Sequence, residues 1–477
     1  MLAFAGVQGL LDLPLAGLSG APWLWPHPVQ PLFALLASDK HGLFHDGAGG
    51  FQVASLTMQL AAIGLVLVLS IVIERFALRV GIPGALALFG CGVAIQPISS
   101  FDFEHRGFAG LHVVALSLLL FYSGVKICRR YFSRQDFLVP SLLLSVFGVF
   151  VVIIFGSALV YFGLSAFSPG FVTSNQPVLI ALAMAFCMAP LDWGAFTFIV
   201  RRVERFSDKV MGVLEFETAI SAAMTLVVGR AMLQFFTDQG ARTMVSKAAN
   251  IFIAGISEGI VVGVVMGYLL SLAIKHYAVE RSQSIDLAVG FVMIANGVNA
   301  WLGQGGLVCC LVMGIVVSFL LSKGDNKDEK EMLAVQLESI NIACESLIFF
   351  MAGLCIDLSV GLAPTLLGGL LLVAVILLLR PLTVHLFFSS STFLEPKEKA
   401  FLSLWSPKGA ISMALAITIP DMIEETGIRY EQVIHPVSEH FVVDAVCFAV
   451  VFSMLIKSLV LPGLHRQMLG GDRVEPV

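Results

Sequence analysis

Charge is the scarcest commodity of this sequence: Asp, Glu, Lys and Arg make up 13% of its 477 residues, about half the ~25% share found in soluble domains. No basic run forms an extended cationic surface, and the formal net charge is -5, so nucleic-acid binding is excluded. The eight cysteines show no CxxC spacing and lie almost all in apolar runs. They read as small buried hydrophobes rather than as a disulfide framework or metal ligands. No Lys or Arg precedes Lys40, so the apolar start lacks the basic head of a cleaved signal peptide. Pro14, Pro22, Pro26, Pro28 and Pro31 interrupt any long helix there. Residues 1–52 are therefore expected to be an uncleaved, partly membrane-embedded extension. No nucleophile, base and orienting group share a catalytic spacing, and no metal-ligand cluster is present; His385 and the serines after it form neither. An enzyme is not expected, and the reading calls for no cofactor.

What the sequence has in abundance is hydrophobic length. Apolar residues make up 58% of the chain and its mean hydropathy is +0.92, which makes lipid its main solvent. Apolar stretches bounded by charge, Pro or Gly fall at 53–77, 81–98, 109–127, 137–166, 177–198, 209–236, 247–275, 284–302, 305–322, 333–358, 362–388, 398–420 and 440–463. This is about thirteen helical spans, an all-α polytopic membrane protein with a transmembrane domain over 53–463 and a short tail at 464–477. Roughly twenty basic residues, Lys457 and Arg466 among them, fall in one alternate set of loops and the tail, and six in the other. The C-terminus is thus expected in the cytoplasm and the N-terminus outside. The charged run 323–331 reads as a solvated cytoplasmic loop, and Asp421 to His440 as an ordinary polar loop on the outer side.

Ionisable side chains inside the spans are costly, and so mark function or pairing. They are Asp192, Glu215, Glu217, Glu338, Glu345, Arg380 and Lys408. In the fifth span Asp192 stands between Pro190 and Gly194; in the twelfth Lys408 stands between Pro407 and Gly409. Proline removes a backbone donor and frees carbonyl groups to face an ion. Two Pro-charge-Gly breaks in the two halves predict an inverted repeat whose discontinuous helices cross at mid-membrane, with Lys408 compensating helix-end dipoles. In the sixth span Glu217 and Ser221 share one helix face, and oxygen ligands of this kind suit a hard alkali cation. Glu215 lies nearer the loop and is read as interfacial. Arg380 is expected to pair with Glu338 or Glu345, the alternative being an arginine that snorkels to an interface. His112 and His385 read as packed or interfacial.

These motifs resemble the monovalent cation:proton antiporter family of the sodium/proton exchanger type over nearly the whole of 53–463. Ile82-Pro83-Gly84 looks like the family's second helix, and Leu119 to Val125 is similar to its Phe-x-x-Gly signature. Asp192 matches the Asp of its unwound segment, with Leu191 where Thr is common, and Leu214 to Thr218 matches its Glu-Gly-Glu-Ser run. Gly305-Gly306 resembles a later Ser-Gly element, Ile348 to Leu354 the Phe-x-x-x-Gly-Leu stretch, and Trp405 to Ala414 the Gly-Leu-Arg-Gly-Ala motif with Lys408 in place of Arg. One departure stands out. Where the family carries an Asn-Asp or Asp-Asp pair, whose Asp binds the ion and exchanges the proton, this chain has Ser221-Ala222.

The resemblance implies a secondary antiporter, a homodimer, that exchanges Na+ or K+ for H+ across the bilayer by alternating access. A compact chain without a regulatory tail suggests a bacterial inner membrane. Exchange needs one group that takes either a proton or a cation, and a buried carboxylate suits this. With the family's Asp absent, Glu217 with Asp192 is expected to take that role and to ligate the transported cation. Thr218 and Ser221 would add neutral oxygens, and Lys408 and Arg380 would balance charge. The missing Asp also favours two rivals: a carrier for another solute, such as an anion attracted by Lys408, and a non-transporting relative.

Overall fold

Long helices and short, interrupted ones build the molecule, because lipid leaves no backbone group unsatisfied and only complete spans or broken ones facing protein are tolerated. The computed structural model describes parts of 64–77, residues 83–96, 105–127, 134–167, 171, 174, 176–192, 194–195, 207–237, 241–277, 283–302, 307–322, 327–357, 362–424, 429–434 and 440–468. All of these belong to one unit, Ile63–Val477. The predicted extension 1–52, Trp193 and Gly305-Gly306 lie outside the described residues. After helical residues within 64–77 come α1 (Gly84–Ile95), α2 (His105–Lys126), α3 (Gln135–Phe167), α4 (Pro177–Cys187), α5 (Asp208–Thr237), α6 (Ala241–Tyr277) and α7 (Gln283–Leu302). The second half holds α8 (Val308–Leu321), α9 (Lys327–Leu354), α10 (Leu362–Phe388), α11 (Pro396–Leu404), α12 (Ala410–Glu424), α13 (Tyr430–Ile434) and α14 (Phe441–Met468). No strand occurs among the described residues.

From the second span onward the predicted spans fall on these helices, the first span lies largely outside the described residues, and α14 continues past the expected end at 463 to Met468. Six of the helices, α3, α5, α6, α9, α10 and α14, are long and apolar enough to cross a membrane. Their burial differs by position. A third of the most apolar stretch of α6 is buried inside the protein against 72% for α5, so α6 turns its side chains toward lipid while α5 is an interior helix. That places the ionisable residues of α5 away from the hydrocarbon.

Helices in lipid gain nothing by hiding apolar surface from water, so close backbone approach at small residues drives their packing. Two crossings show it. Gly92 of α1 meets Gly353 of α9, and Gly124 of α2 meets Gly314 of α8; a Cβ built on any of the four would stand 3.0 Å from the Cα of its partner and nearer still to a backbone carbonyl. A shift of seven spans carries the second, third and fifth spans onto the ninth, tenth and twelfth. It therefore exchanges the two glycine crossings with each other and the two breaks with each other, which is the internal symmetry of an inverted repeat.

The obstacle at these crossings is backbone and cannot move aside. Gly353→Ala is expected to lower stability by about 1–3 kcal/mol through overpacking. Gly90→Ala, on α1 with nothing within 4 Å of its added carbon, should leave it unchanged. Thermal melting of the two variants in detergent checks the contrast.

Candidate ion-exchange site

The first break follows directly from the sequence of the fifth span. Helix α4 ends at Cys187, and the N–H groups of Met188 and Ala189 turn back to the carbonyls of Ala185 and Phe186. Pro190 has no N–H to offer. Beyond it the chain leaves the helix: the N–H of Leu191 donates to Ser221 Oγ at 3.4 Å and that of Asp192 to the carbonyl of Pro407 at 3.1 Å. Helix resumes at 194–195. The second break spans 405–409, between α11 and α12, and Pro407 and Gly409 occupy it as Pro190 and Gly194 occupy the first. The backbone bond from Asp192 to Pro407 ties one break to the other.

Helix ends exposed in a low-dielectric interior need compensating charge, and the chain supplies it reciprocally. The Lys408 ammonium, from the second break, donates to the carbonyls of Ala189 and Pro190 in the first, at 3.3 and 2.8 Å. The Asp192 carboxylate, from the first break, caps two helix starts. Its Oδ1 accepts from the N–H of Gly194 (2.8 Å) and Ala195 (3.4 Å), and its Oδ2 from the N–H of Ile411 in α12 (2.8 Å). Both side chains are buried. Glycine at 409 lets the strands approach this closely, since a Cβ there would stand 2.8 Å from the Asp192 carboxyl carbon. Gly194 is likewise pressed against the Glu345 carboxylate of α9, which also accepts from Asn341 Nδ2 at 2.5 Å.

Glu217, on the interior helix α5, forms a two-pronged ion pair with Arg380 of α10. One guanidinium nitrogen reaches Oε1, and the other lies 2.8 Å from Oε2. Arg380 Nε donates to the carbonyls of Leu402 (3.3 Å) and Trp405 (2.8 Å) at the end of α11. Planar forks of this kind hold a carboxylate in one orientation. The partner therefore differs from the one expected: Arg380 pairs with Glu217 and with carbonyls, not with Glu338 or Glu345. Pairing across 163 residues of sequence leaves no local signal to read.

Lys457 is the residue that sequence reasoning missed. Counted with the cytoplasmic loops, it lies buried in α14 and donates to the Ser406 carbonyl and, at 2.8 Å, to Ser453 Oγ. The second break is thus held by Arg380 and Lys457 as the first is held by Lys408. A serine one turn before a lysine in an apolar run was its one available clue.

Beneath the crossing lies a cavity of about 30 Å³, bordered among others by Ala189, Leu191, Glu217, Ser221, Ser406 and Lys408, with Arg380 and Thr383 on its α10 side. That is room for about two water-sized occupants. The structure brings Glu217, Ser221, Lys408 and Arg380 around this space. Asp192 and Thr218 are buried nearby but do not line it; the Thr218 hydroxyl donates to the Glu215 carbonyl of its own helix at 3.1 Å. Glu215 is half-buried, His112 buried and His385 exposed.

The family model of the transmembrane sodium/hydrogen exchanger matches residues 63–466. The chain belongs to the sodium/hydrogen exchanger family. It is 25% identical over 255 residues to the Na(+)/H(+) antiporter NhaH of Halobacillus dabanensis, a match spanning 52% of this chain and 61% of that protein. It is 21% identical over 357 residues to the probable Na(+)/H(+) antiporter 2 of Methanocaldococcus jannaschii, spanning 73% and 81%. The sodium proton antiporter MjNhaP1 of the same archaeon, solved at pH 8, superposes with a TM-score of 0.70 at 20% identity, covering 87% of this chain and all of that one. This exchanger-family member therefore has the antiporter fold, an inverted repeat with two crossing discontinuous helices.

Proposed function

We propose that this chain is a secondary transporter that exchanges a monovalent cation, Na+ or K+, for protons by alternating access. The crossing carries the reading: two interrupted helices, each neutralised by a charge from the other, enclose a small polar cavity beside a carboxylate. Membership of the exchanger family supports it, as do relatives named Na+/H+ antiporters. Glu217 is the cavity carboxylate and takes either a proton or the cation. Ser221 Oγ and the carbonyls of the first break add neutral oxygens, while Thr218 and Asp192 hold the surrounding backbone. Arg380 keeps the Leu402 and Trp405 carbonyls as partners when a cation takes its place at Glu217. Lys408 occupies the carbonyls of the first break when the cavity is empty of cation. The asymmetry of basic residues supports a cytoplasmic C-terminus and an outer N-terminus, and the family resemblance a homodimer in a bacterial inner membrane.

The test is relief of a pH gradient in vesicles by Na+, Li+ and K+ in turn. Wild-type chain is expected to respond to at least one cation, and Glu217→Gln to slow exchange by about 100-fold in protein that remains monodisperse. Full exchange by Glu217→Gln would overturn the assignment to Glu217.

One observation favours a second reading. Ala222 carries no carboxylate, Asp192 caps helices and Glu217 is paired, and among the charged groups that line the cavity Arg380 and Lys408 outnumber Glu217. A carrier for a small anion would show flux in the same vesicles that depends on the anion supplied and not on the alkali cation. A non-transporting relative would show neither.

A further inference from the structure

A second acidic position lies toward the start of α14, on the side opposite the Lys-rich loops. Chain direction places the end of α9, the end of α12 and the start of α14 on that side together. Asp444, in the first turn of α14, is 3% exposed. Its carboxylate accepts the backbone N–H of Asp357, which follows the last turn of α9 and brings a second carboxyl group alongside. Among the described residues the other oxygen, Asp444 Oδ1, has no hydrogen-bond partner. A buried ionised oxygen without a partner is costly. It must carry a proton or face a cation.

Among the described residues neither lysine nor arginine acts on Asp444. From the end of α9 the groups acting on Asp444 and its surroundings are Asp357 and Cys355, from α14 itself Cys447, and from α4 Cys187; the titratable His440, just before α14, accepts the Asp444 N–H at its carbonyl at 2.9 Å. Helix α10 carries no titratable side chain from Leu362 to Leu379, and α12 none from Ala410 to Pro420; Asp421 and Glu424 at the end of α12 add negative charge. The C-terminal end of α9 is itself the negative pole of a helix. Cys447, one turn or about 5 Å along α14, lies beside Cys187, the last residue before the first break. The carboxyl pair thus stands outward of the end of α4, where the first break begins.

We propose that Asp444 and Asp357 form a second exchange site, at which a monovalent cation displaces a proton. The O–H bond of the Asp444 carboxyl breaks, its proton leaves to water, and the cation settles between the two carboxylates. The pair carries one net negative charge before the step, as one acid and one carboxylate, and one after it, as two carboxylates and a cation. Swapping occupants therefore leaves the local charge unchanged, and hard oxygen ligands suit an alkali ion. The inference deepens the antiport reading and rests on it for the site's role in transport, but proton displacement at Asp444 is measurable alone.

Infrared difference spectra of the purified full chain, recorded on replacing choline with Na+ or K+ at fixed pH, read the protonated carboxyl band directly. Loss of a band on adding cation, its absence in Asp444→Asn and its persistence in Glu217→Gln are expected. Vesicles containing Asp444→Asn should exchange about tenfold more slowly, with unchanged melting temperature. A spectrum from which Asp444→Asn removes no cation-sensitive band, or one that contains no such band, overturns the proposal even where wild-type exchange is normal. A cation-sensitive band that Asp444→Asn removes, in a chain that moves no ion, upholds the site and overturns the antiport reading instead.

Discussion

Replacing Arg380 with methionine is expected to lower the stability of the bundle by about 3–5 kcal/mol, the usual result of leaving one member of a buried ion pair without its partner. Glu217 would remain buried in α5 without the guanidinium that pairs both of its oxygens. The double variant Glu217→Gln/Arg380→Met should recover a large part of that loss, because an amide is far cheaper to bury than an unpaired charge. It should not recover exchange. Part of the loss persists in the double variant, since the Leu402 and Trp405 carbonyls also depend on the guanidinium. Melting temperatures of the wild type, both single variants and the double variant give the coupling between the two residues. A double variant no more stable than Arg380→Met would show that the pair does not govern the destabilisation.

Asp192→Asn is expected to cost about 3 kcal/mol although the change removes one charge and almost no volume. The reason is the number and direction of the donors that surround the carboxylate. Oδ1 and Oδ2 both accept, from Gly194 and Ala195 on one side and Ile411 on the other. An asparagine has one accepting atom, so its amide nitrogen would point a donor at either the start of α12 or the resumed fifth helix. The Lys408 ammonium, close by, would also lose its compensating charge. Hydrogen–deuterium exchange should show lost protection at residues 410–413 before the rest of α12 opens. Unchanged protection there, together with wild-type melting, would mean that Asp192 does not hold the crossing. The same variant separates two roles for this residue. Loss of exchange with lost protection marks a cap, and loss of exchange in an undisturbed backbone marks an ion ligand.

Much of this arrangement was legible in the sequence because its signals are local. A proline beside a charge beside a glycine, in a run that otherwise belongs in lipid, announces a broken helix; two of them in matching halves announce the crossing. Asp192 and Lys408 identified themselves in this way. Glu217 and Ser221 declared a shared face through helical periodicity. The glycine crossings were less legible: Gly92, Gly124, Gly314 and Gly353 are four among 44 glycines, and only contact between distant helices distinguishes Gly353 from Gly90. Lys457 escaped because a single lysine near the end of an apolar run has the same sequence appearance at an interface and in an interior.

The sequence by itself determined the solvent of this protein, the order of its helical spans, the places where two of them break and the identity of Ser221 and Ala222 on α5. These follow from hydropathy, proline chemistry and residue identity, which act over a few turns of chain. Partnership was decided only by the tertiary structure: that Arg380 holds Glu217, that Asp192 and Lys408 each cap the other's helix, that Lys457 supports the second break, and that Asp444 meets Asp357. Charges in a low-dielectric interior choose partners by position in space, and helices far apart in sequence set those positions.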